Sequence, residues 1–238
     1  MIEVRDLSFE YAGAEVLAGV SFSVPTGTCM ALLGQNGSGK STLLTLLAGL
    51  FEPSRGEIRI GTVKSPGQAL QLRRATGLLF QEADVQILGA TVHEDLALSL
   101  QNSKIRDEAP ALDLADRFQL AESWDKPVQQ LSGGQKRKLC LAAVLLQKPE
   151  VLLFDEPFSG LDYPASREFR AILRDNRSRG ITQIVALHDL EPLVGLMDEC
   201  LVLHQGRPVL QGGLEDIRTR LEEFGIRPPW GGWDDTMV

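Results

Sequence analysis

The sequence has few cysteines: Cys29, Cys140 and Cys200 are the three among its 238 residues. They are odd in number, lie far apart, and each stands among apolar residues. This pattern predicts reduced thiols in the core of a cytoplasmic protein, because disulfide frameworks use paired cysteines in oxidising compartments. The spacing also matches no pattern of metal ligands, so we expect no cysteine-based metal site.

Long apolar runs are also absent. The longest uninterrupted run is Leu139–Leu146, whereas a helix needs about 20 apolar residues to span a bilayer. Residues 1–6 have no signal-peptide character. If the protein works at a membrane, we therefore expect another subunit to carry it there.

Positive charge is in deficit, with 24 Lys and Arg residues against 32 Asp and Glu residues, or a formal net charge of −8. Nucleic-acid-binding surfaces are usually basic, so we expect no nucleic acid as the main partner. The length allows a sizeable core, either as one large domain or as one domain with an inserted subdomain.

The clearest motif has the form G-x-x-x-x-G-K-[ST] of a phosphate-binding loop, or P-loop. Apolar runs on either side predict a buried strand before the motif and a helix after it. The glycines let backbone N–H groups converge on an anion, and the helix N-terminus adds partial positive charge. We expect Lys40 to reach the β- and γ-phosphates and Ser41 to ligate Mg²⁺. The predicted nucleotide-binding residues are Gly34, Gln35, Asn36, Gly37, Ser38, Gly39, Lys40, Ser41 and Thr42.

The first eighty residues otherwise have strand patterns. Residues 2–9 and 16–24 alternate polar and apolar residues and predict two antiparallel strands. Residues 53–60 predict a turn into a strand, and residues 78–80 a short apolar strand. Tyr11, at the turn of the first pair, is either a partly buried turn aromatic or a ring that stacks on a nucleotide base.

Residues 84–148 contain helical patterns and few strand patterns, which predicts a helical insertion between two halves of an α/β core. Strand patterns return at residues 151–154, 184–187 and 200–203. A helix is predicted between the first two, from about residue 164 to 179, with Asp162 as its N-cap. The alternation of strand and helix predicts an α/β fold with a mostly parallel sheet.

Two carboxylates follow the apolar strand at residues 151–154. Asp155 ends this strand, at the edge where open α/β sheets bind ligands. There Asp155 can hold Mg²⁺ through water and Glu156 can polarise an attacking water, which are two needs of phosphoryl transfer. The alternative is a solvated acidic turn. His188, which ends another apolar strand, is either a capping core residue or, as we prefer beside Glu156, a phosphate or water contact.

Ser132 and Gln135 have the spacing of a capping box at the start of a helix. Gly133 and Gly134 in the first turn disfavour a helix but let the backbone approach an anion. We therefore predict a second phosphate-facing helix N-terminus. Because one P-loop already holds one nucleotide, this surface is expected to serve a nucleotide on another chain.

These segments together resemble, in order, the motifs of ABC-transporter ATPase subunits over about residues 1–212. The segments are Gly34–Thr42, Gln81, Leu131–Gln135, Val151–Glu156, Ser159–Asp162 and His188. The resemblance implies that Tyr11 stacks on adenine and that Ser41, Gln81 and Asp155 surround Mg²⁺. It implies catalytic roles for Gln81, for His188 at the γ-phosphate, and for Glu156 as general base. The implied contacts to the nucleotide of the opposite subunit are Ser132, Gly133, Gly134, Gln135 and Asp162.

A finer likeness covers residues 80–86, which are similar to energy-coupling-factor and cobalt/nickel-type importer ATPases. That group follows the glutamine with Pro-Asp-x-Gln; Asp84 and Gln86 match, and Ala83 replaces the proline. The likeness implies that a cytoplasmic helix of a transmembrane subunit docks here, with Asp84 and Gln86 as polar contacts. Val85, Ile87 and Leu88 would be the apolar contacts, or they simply fill the interface between subdomains.

The resemblance implies a subunit that hydrolyses ATP with Mg²⁺ and dimerises around two ATPs with a copy of itself or a paralogue. It would work with transmembrane permease subunits on the inner face of the cell membrane and power an importer for a metal ion or vitamin. The main alternative is a soluble ABC ATPase with non-membrane partners in cofactor assembly. We expect the ATPase domain at residues 1–212, with the insertion at about 84–148, and a partly irregular C-terminal extension at 213–238.

Overall fold

The computed structural model describes residues 1–230. The strands in this part of the chain are β1 (Ile2–Tyr11), β2 (Ala14–Val24), β3 (Cys29–Leu33), β4 (Arg55–Ile60), β5 (Val63–Ser65), β6 (Thr76–Leu79), β7 (Val151–Asp155), β8 (Thr182–Leu187), β9 (Glu199–His204) and β10 (Arg207–Gly212). The α-helices are α1 (Lys40–Leu47), α2 (Ala69–Ala75), α3 (Val92–Asn102), α4 (Ala109–Arg117), α5 (Gly133–Leu145), α6 (Tyr163–Ser178) and α7 (Leu214–Ile217). The 3-10 helices are Ala83–Val85, Ala121–Ser123, Val128–Gln130, Glu191–Leu193 and Arg218–Phe224.

Contacts divide the chain into two compact units, one of residues 1–78 together with the chain from Glu150 onward, and one of Leu79–Pro149. The first unit contains a four-stranded sheet of order β2-β1-β4-β5. Its three successive pairs are antiparallel, and the pair β1–β2 confirms the prediction made for residues 2–24. The apolar residues of β1 and β2 point to one buried face, while their polar neighbours face solvent.

The first unit is built on a six-stranded sheet of order β10-β9-β3-β8-β7-β6. Strands β9, β3, β8 and β7 are parallel neighbours, and β10 runs antiparallel to β9. The predicted α/β fold with a mostly parallel sheet is therefore confirmed. Strand β6 runs from Thr76 to Leu79. It therefore begins two residues before the strand predicted at residues 78–80 and ends one residue before it.

One hydrophobic core joins both sheets to α1. Strand β3 is buried at all five positions, and α1 contributes Leu43, Leu44, Leu46 and Leu47, each with no exposed surface. Burying a leucine side chain stabilises a fold by about 1.5–3 kcal/mol, so these four residues fix α1 firmly against the sheet. The loop between β3 and α1 is consequently held at both ends by buried elements.

The second unit is helical, which is the character predicted for the inserted segment. Helices α3 and α4 both pack against α5. Helix α3 begins at a Thr91 N-cap, whose hydroxyl accepts a hydrogen bond from Glu94 N (3.1 Å). Its buried face includes Val92, Leu96 and Leu100.

The C-terminal part of the chain packs on the first unit as far as the structure describes it. Ile217, Leu221 and Ile226 are buried, so α7 and the 3-10 helix after it are packed elements, while residues 226–230 have no regular secondary structure. The end of the predicted extension, residues 231–238, lies outside the described residues. No helix within residues 1–230 has the length and apolar character needed to cross a membrane.

The three cysteines are buried and free, which confirms the prediction of reduced core thiols. Burial raises the pKa of each thiol to about 12. At neutral pH the thiols are therefore protonated and unreactive, since the thiolate is the nucleophilic form.

Candidate active site

Three loops meet at one edge of the six-stranded sheet. In the parallel register Leu33 of β3 lies opposite Leu187 of β8, and Asp155 of β7 lies opposite Ala186. The strands therefore end at the same level. The loops that follow carry the P-loop after β3, Glu156 after β7 and His188 after β8, so residues far apart in sequence converge where such sheets bind ligands.

The P-loop depends on glycine at two close approaches. Gly34 has φ 158°, and an added Cβ would lie 2.3 Å from Ser38 Oγ and 2.5 Å from the carbonyl oxygen of Leu203. Gly39 has φ 103°, and its Cβ would lie 2.7 Å from a methyl group of Leu17. The tight loop therefore has no room for a side chain at either position.

Helix α1 starts directly at the P-loop. Its N-cap is Gly39, whose lack of a side chain means that no side-chain oxygen caps the helix. The first backbone N–H groups of a helix have no intrahelical acceptor, and they carry the positive end of the helix dipole. The loop thus presents uncapped donors to an anion, as predicted.

Lys40 is buried, with 5% of its surface exposed, and is surrounded by oxygen atoms. Its Nζ donates to the carbonyl oxygens of Gly34 (2.7 Å) and Gln35 (3.3 Å). Nζ also lies 3.4 Å from Glu156 Oε1. The ammonium group therefore links the P-loop to the acidic end of β7.

Glu156 connects two of the loops and has an unusual backbone. Its Oε2 lies 2.8 Å from Nδ1 of His188, and its side chain is 90% buried. It has φ 48°, which is uncommon for a residue other than glycine and costs about 1–3 kcal/mol. The backbone is held there by hydrogen bonds from Glu156 N to Ala186 O (3.0 Å) and from Ser159 N to Glu156 O (3.1 Å). Strained residues of this kind cluster at functional sites, which points to a role for the carboxylate.

Asp155 lies next to Ser41 at the start of α1. Burial raises the pKa of the Asp155 carboxyl above its usual value; the hydrogen bond from Ser41 opposes this shift, Glu156 adds to it, and Lys40 opposes it. The carboxylate form is thus less favourable here than in water. A cation bound beside Asp155 would remove this penalty.

Two buried polar atoms of the site, Ser38 Oγ and Asp155 Oδ1, have no hydrogen bond within the described residues, and Glu156 Oε1 has only its ion pair with Lys40. Unsatisfied buried polar atoms are rare, because each costs about 1–3 kcal/mol. Their concentration around Lys40 is what a site for a polar, charged ligand requires.

Two further predicted site residues, Tyr11 and Asp162, belong to the first unit. Tyr11 is 62% exposed, and its ring meets that of Phe51 edge-on at 6.3 Å, so it is not a buried turn aromatic. Asp162 caps α6, accepting a hydrogen bond from Ala165 N (3.0 Å), as predicted. Base stacking by Tyr11 and a seam position for Asp162 stay predictions.

The remaining predicted residues belong to the helical unit. The capping box is confirmed: Gln135 N donates to Ser132 Oγ (3.2 Å), and Ser132 N donates to Gln135 Oε1 (2.9 Å). Gly133 and Gly134 form the first turn of α5, and Ser132 is exposed. Gln81 is exposed in the turn after β6. Contacts of these residues with nucleotide stay predictions.

In the predicted docking segment, Asp84 and Gln86 already bond to other residues of the helical unit. Asp84 forms an ion pair with Lys136 (2.6 Å), and Gln86 Oε1 accepts a hydrogen bond from Phe80 N (3.2 Å). Val85 and Leu88 are 65% and 79% exposed. Polar atoms of this segment are therefore less available than the sequence suggests, while Val85 and Leu88 face outward and Ile87 is partly buried.

Two supporting residues are not evident in the sequence. Gly206, in the turn between β9 and β10, has φ 74° and donates its N–H to Ser38 O (3.1 Å), and its Cβ would lie 2.2 Å from Val16 O. Arg170 of α6 is 1% exposed and donates to the carbonyl oxygens of Pro192 and Val194, after His188. The sequence signals that could have identified these two residues are a glycine in a hairpin turn and an arginine on an apolar helix face.

The family model of the ABC transporter matches residues 17–159. The energy-coupling factor transporter ATP-binding protein EcfA of Carboxydothermus hydrogenoformans is 35% identical, over 96% of this chain and 87% of its own length. The cobalt import ATP-binding protein CbiO of Rhodobacter capsulatus is also 35% identical, over 91% of this chain and 81% of its own length.

A solved structure supports the same assignment. CbiO1 of Clostridium perfringens, described as part of the ABC transporter complex CbiONQ, superposes with a TM-score of 0.79. It is 31% identical over 94% of this chain and 96% of its own chain. With the family model and the relatives, the match confirms the resemblance found in the motifs: the chain belongs to the ATP-binding subunits of the ABC transporter family and is an ATPase.

Proposed function

We propose that this ATPase powers the import of a small nutrient, a metal ion or a vitamin, through a membrane permease. The named relatives, transporter subunits of the energy-coupling-factor and cobalt-import types, support import over the alternative of a soluble ATPase in cofactor assembly. The observation that carries the catalytic part is the arrangement of Glu156, buried between Lys40 and His188 at the edge where the P-loop begins.

The P-loop binds the phosphates of ATP. Its uncapped helix N-terminus and the Lys40 ammonium supply the positive charge. Lys40 now contacts two carbonyl oxygens and the Glu156 carboxylate, and a γ-phosphate would become its stronger anionic partner. Nucleotide binding would thereby release Glu156 Oε1 for a water molecule.

The residues at the end of β7 fit Mg²⁺. Asp155 Oδ1 is buried without a hydrogen-bond partner among the described residues, and the Ser41 hydroxyl lies beside the same carboxylate. Oxygen atoms of carboxylates, hydroxyls and phosphates are the ligands that Mg²⁺ prefers. The ion, when bound, would neutralise charge that develops on the phosphates. Asp155 and Ser41 would hold it, with Gln81 as a further ligand.

Glu156 acts as the general base in this proposal. Its Oε1 would take the proton of the attacking water, while its Oε2, accepting a hydrogen bond from His188 Nδ1, fixes the direction of the carboxylate. The His188 side chain is 58% exposed, so its ring can reach a γ-phosphate, whose oxygen would accept a hydrogen bond from whichever ring nitrogen carries a proton.

The assembly part of the proposal is a dimer around two ATPs. Ser132, Gly133, Gly134 and Gln135 at the start of α5 would contact the nucleotide bound by the opposite subunit, with Asp162 at the seam. The partner would be a copy of the chain or a paralogue. Permease subunits at the inner face of the membrane would dock near Asp84 and Gln86, using the exposed Val85 and Leu88.

The test combines chemistry with transport. Glu156→Gln keeps the shape of the side chain and removes the base, so ATP should still bind while hydrolysis falls by about 10²-fold or more. In vesicles that contain the co-purified permease, ATP-driven uptake should fall in parallel. Lys40→Ala is the contrasting variant and should lose nucleotide binding itself. Near-normal turnover by Glu156→Gln would refute the assigned base, and co-purification with soluble partners alone would refute the importer.

A further inference from the structure

The C-terminal segment Arg218–Trp230 is anchored in the first unit, beside the nucleotide-binding loops. Its 3-10 helix ends at Phe224 and is capped by Gly225, which has φ 68° and donates its N–H to Glu222 O (3.0 Å), while Ile226 N donates to Leu221 O (3.1 Å). Leu221 and Ile226 are completely or almost completely buried. The backbone around Gly225 is therefore fixed in place by local hydrogen bonds and by apolar contacts.

This segment touches the P-loop. A Cβ at Gly225 would lie only 1.9 Å from Gln35 Nε2 and 3.0 Å from Gln35 Cδ, so the glycine and the amide are in direct contact. The carbonyl of Gln35 accepts hydrogen bonds from Ser38 N (3.1 Å) and Lys40 Nζ (3.3 Å). Gln35 thus contacts the C-terminal segment through its side-chain amide and the phosphate-binding lysine through its backbone carbonyl.

The same segment also holds the loop that follows His188. Arg227 Nη2 donates to Asp189 Oδ2 (3.1 Å), and Trp230 N donates to Glu191 Oε2 (2.9 Å). The other oxygen of Asp189 accepts from Glu191 N (3.1 Å), so the ion pair and the turn share one carboxylate. The segment therefore contacts the chain one and three residues beyond His188.

We propose that residues 218–230 form a clasp that joins the P-loop to the His188 loop, and that Gly225 and Arg227 are positioning residues for ATP hydrolysis. The His188 side chain is 58% exposed, so little packing fixes its ring apart from the Glu156 hydrogen bond. An exposed ion pair adds little to stability, and Arg227 and Asp189 are both exposed. The expected effect of Arg227 is therefore on loop orientation and turnover. This inference rests on the proposed role of His188.

The first experiment compares Arg227→Ala with Arg220→Ala in the full chain. Arg220 lies on the same segment and pairs with its neighbour Glu223, so it is the matched control. Displacing a catalytic group by a fraction of an ångström is expected to lower kcat by about 10-fold for Arg227→Ala, with KM for ATP within about 2-fold. The melting temperature should match that of the control, and Arg227→Lys should restore most of the turnover.

A double-mutant cycle separates the clasp from the role of His188. If Arg227 acts through His188, adding Arg227→Ala to His188→Ala should cause no further loss of kcat. A full additional loss would overturn the clasp. Wild-type turnover by His188→Ala alone would instead refute the proposed role of His188, and with it the basis of the inference.

The second experiment tests the contact with the P-loop. Gly225→Ala and Gly180→Ala both place a methyl group at positive φ, 68° and 77°, but Cβ at residue 180 meets nothing within 4 Å. Both variants should lose similar thermal stability, and Gly225→Ala alone should weaken ATP binding, by about 5-fold. Equal affinities in the two variants would overturn the contact.

Hydrogen exchange on the unmodified chain provides a readout that needs no variant. Nucleotide should slow exchange of the amides of Gly225 and Ile226, because a ligand that orders the P-loop stabilises what is packed on it. Amides of α4 in the helical unit serve as the reference. Unchanged exchange at residues 225–226 with saturating ADP would contradict the clasp.

Discussion

At the residue scale, the chemistry depends on how Lys40, Asp155 and Glu156 share a small buried volume. One cation lies among two carboxylates, with 5% exposure for Lys40 and 9% and 8% for the acids. Buried like charges disfavour each other unless they are paired. The site can therefore accept a further anion and a further cation together, as when a nucleotide binds with its metal ion.

A pH-dependent prediction follows for Asp155. Because burial raises the pKa of Asp155 in the folded protein above the value of 3.8, the folded state holds this proton more tightly than the unfolded state. Its contribution to the free energy of unfolding is therefore most favourable below pH 3.8 and is lost as pH rises through the raised folded pKa. Asp155→Asn should raise the melting temperature of the nucleotide-free protein at pH 7, and the gain should shrink toward pH 3.8.

The same variant should be impaired in function. It lacks the charge for Mg²⁺, so ATP hydrolysis should fall by at least about 10-fold, and Mg²⁺ should no longer add to the stabilisation by ATP. Asp113→Asn, at an exposed position of α4, is the control and should leave both profiles unchanged. A lower melting temperature for Asp155→Asn at pH 7 would show that burial does not dominate the environment of this carboxyl.

At the element scale, the start of α5 combines two demands. Gly133 and Gly134 each weaken a helix by about 1 kcal/mol relative to alanine, and the capping box of Ser132 and Gln135 compensates. A sequence chosen for helix stability alone would not place two glycines there. The arrangement agrees with a helix end at which backbone must approach a ligand.

Ser132 can be tested for the two roles separately. Asparagine caps helices about as well as serine, so Ser132→Asn should keep the free energy of unfolding within about 0.5 kcal/mol, whereas Ser132→Ala should lose about 1 kcal/mol. If the hydroxyl contacts the γ-phosphate in the dimer, both variants should lose about 10-fold or more in ATP hydrolysis. Full activity of Ser132→Asn would leave the residue with a capping role alone.

At the scale of the whole molecule, the proposal requires each site to draw on two chains. Ser132→Arg damages the surface offered to the partner, and Lys40→Ala damages the P-loop of its own chain. In a mixed dimer both lesions fall in one site, and the other site is intact. Mixing the two inactive variants should therefore restore a measurable part of the ATPase activity.

The readout is the phosphate released by the mixture, compared with each variant alone at the same total concentration. A mixture of Lys40→Ala with Glu156→Gln is the control, because each lesion then stays in a separate site and no intact site forms. Recovery in the first mixture and none in the second is the expected result. Equal activity in the two mixtures, with heterodimers confirmed, would contradict sites shared between chains.

Much of the fold and site is predictable because the signals are local. Glycine spacing around Lys40, the apolar runs that become β3, β7 and β8, and the Ser132–Gln135 spacing each act within a few residues. Their conformations follow from backbone sterics, alternation and capping, which the sequence carries directly. The helical character of the second unit follows from the same periodicity.

The remaining features of the site depend on tertiary contacts. Three features depend on residues that are tens to almost two hundred positions apart in the sequence. They are the positive φ of Glu156, the hydrogen bond from Gly206 to Ser38, and the contact of Gly225 with Gln35. The raised pKa of Asp155 likewise depends on burial and on Ser41 and Lys40. Such features arise only once the strands have stacked their ends at one edge, because desolvation and steric contact depend on distance in space and not along the chain.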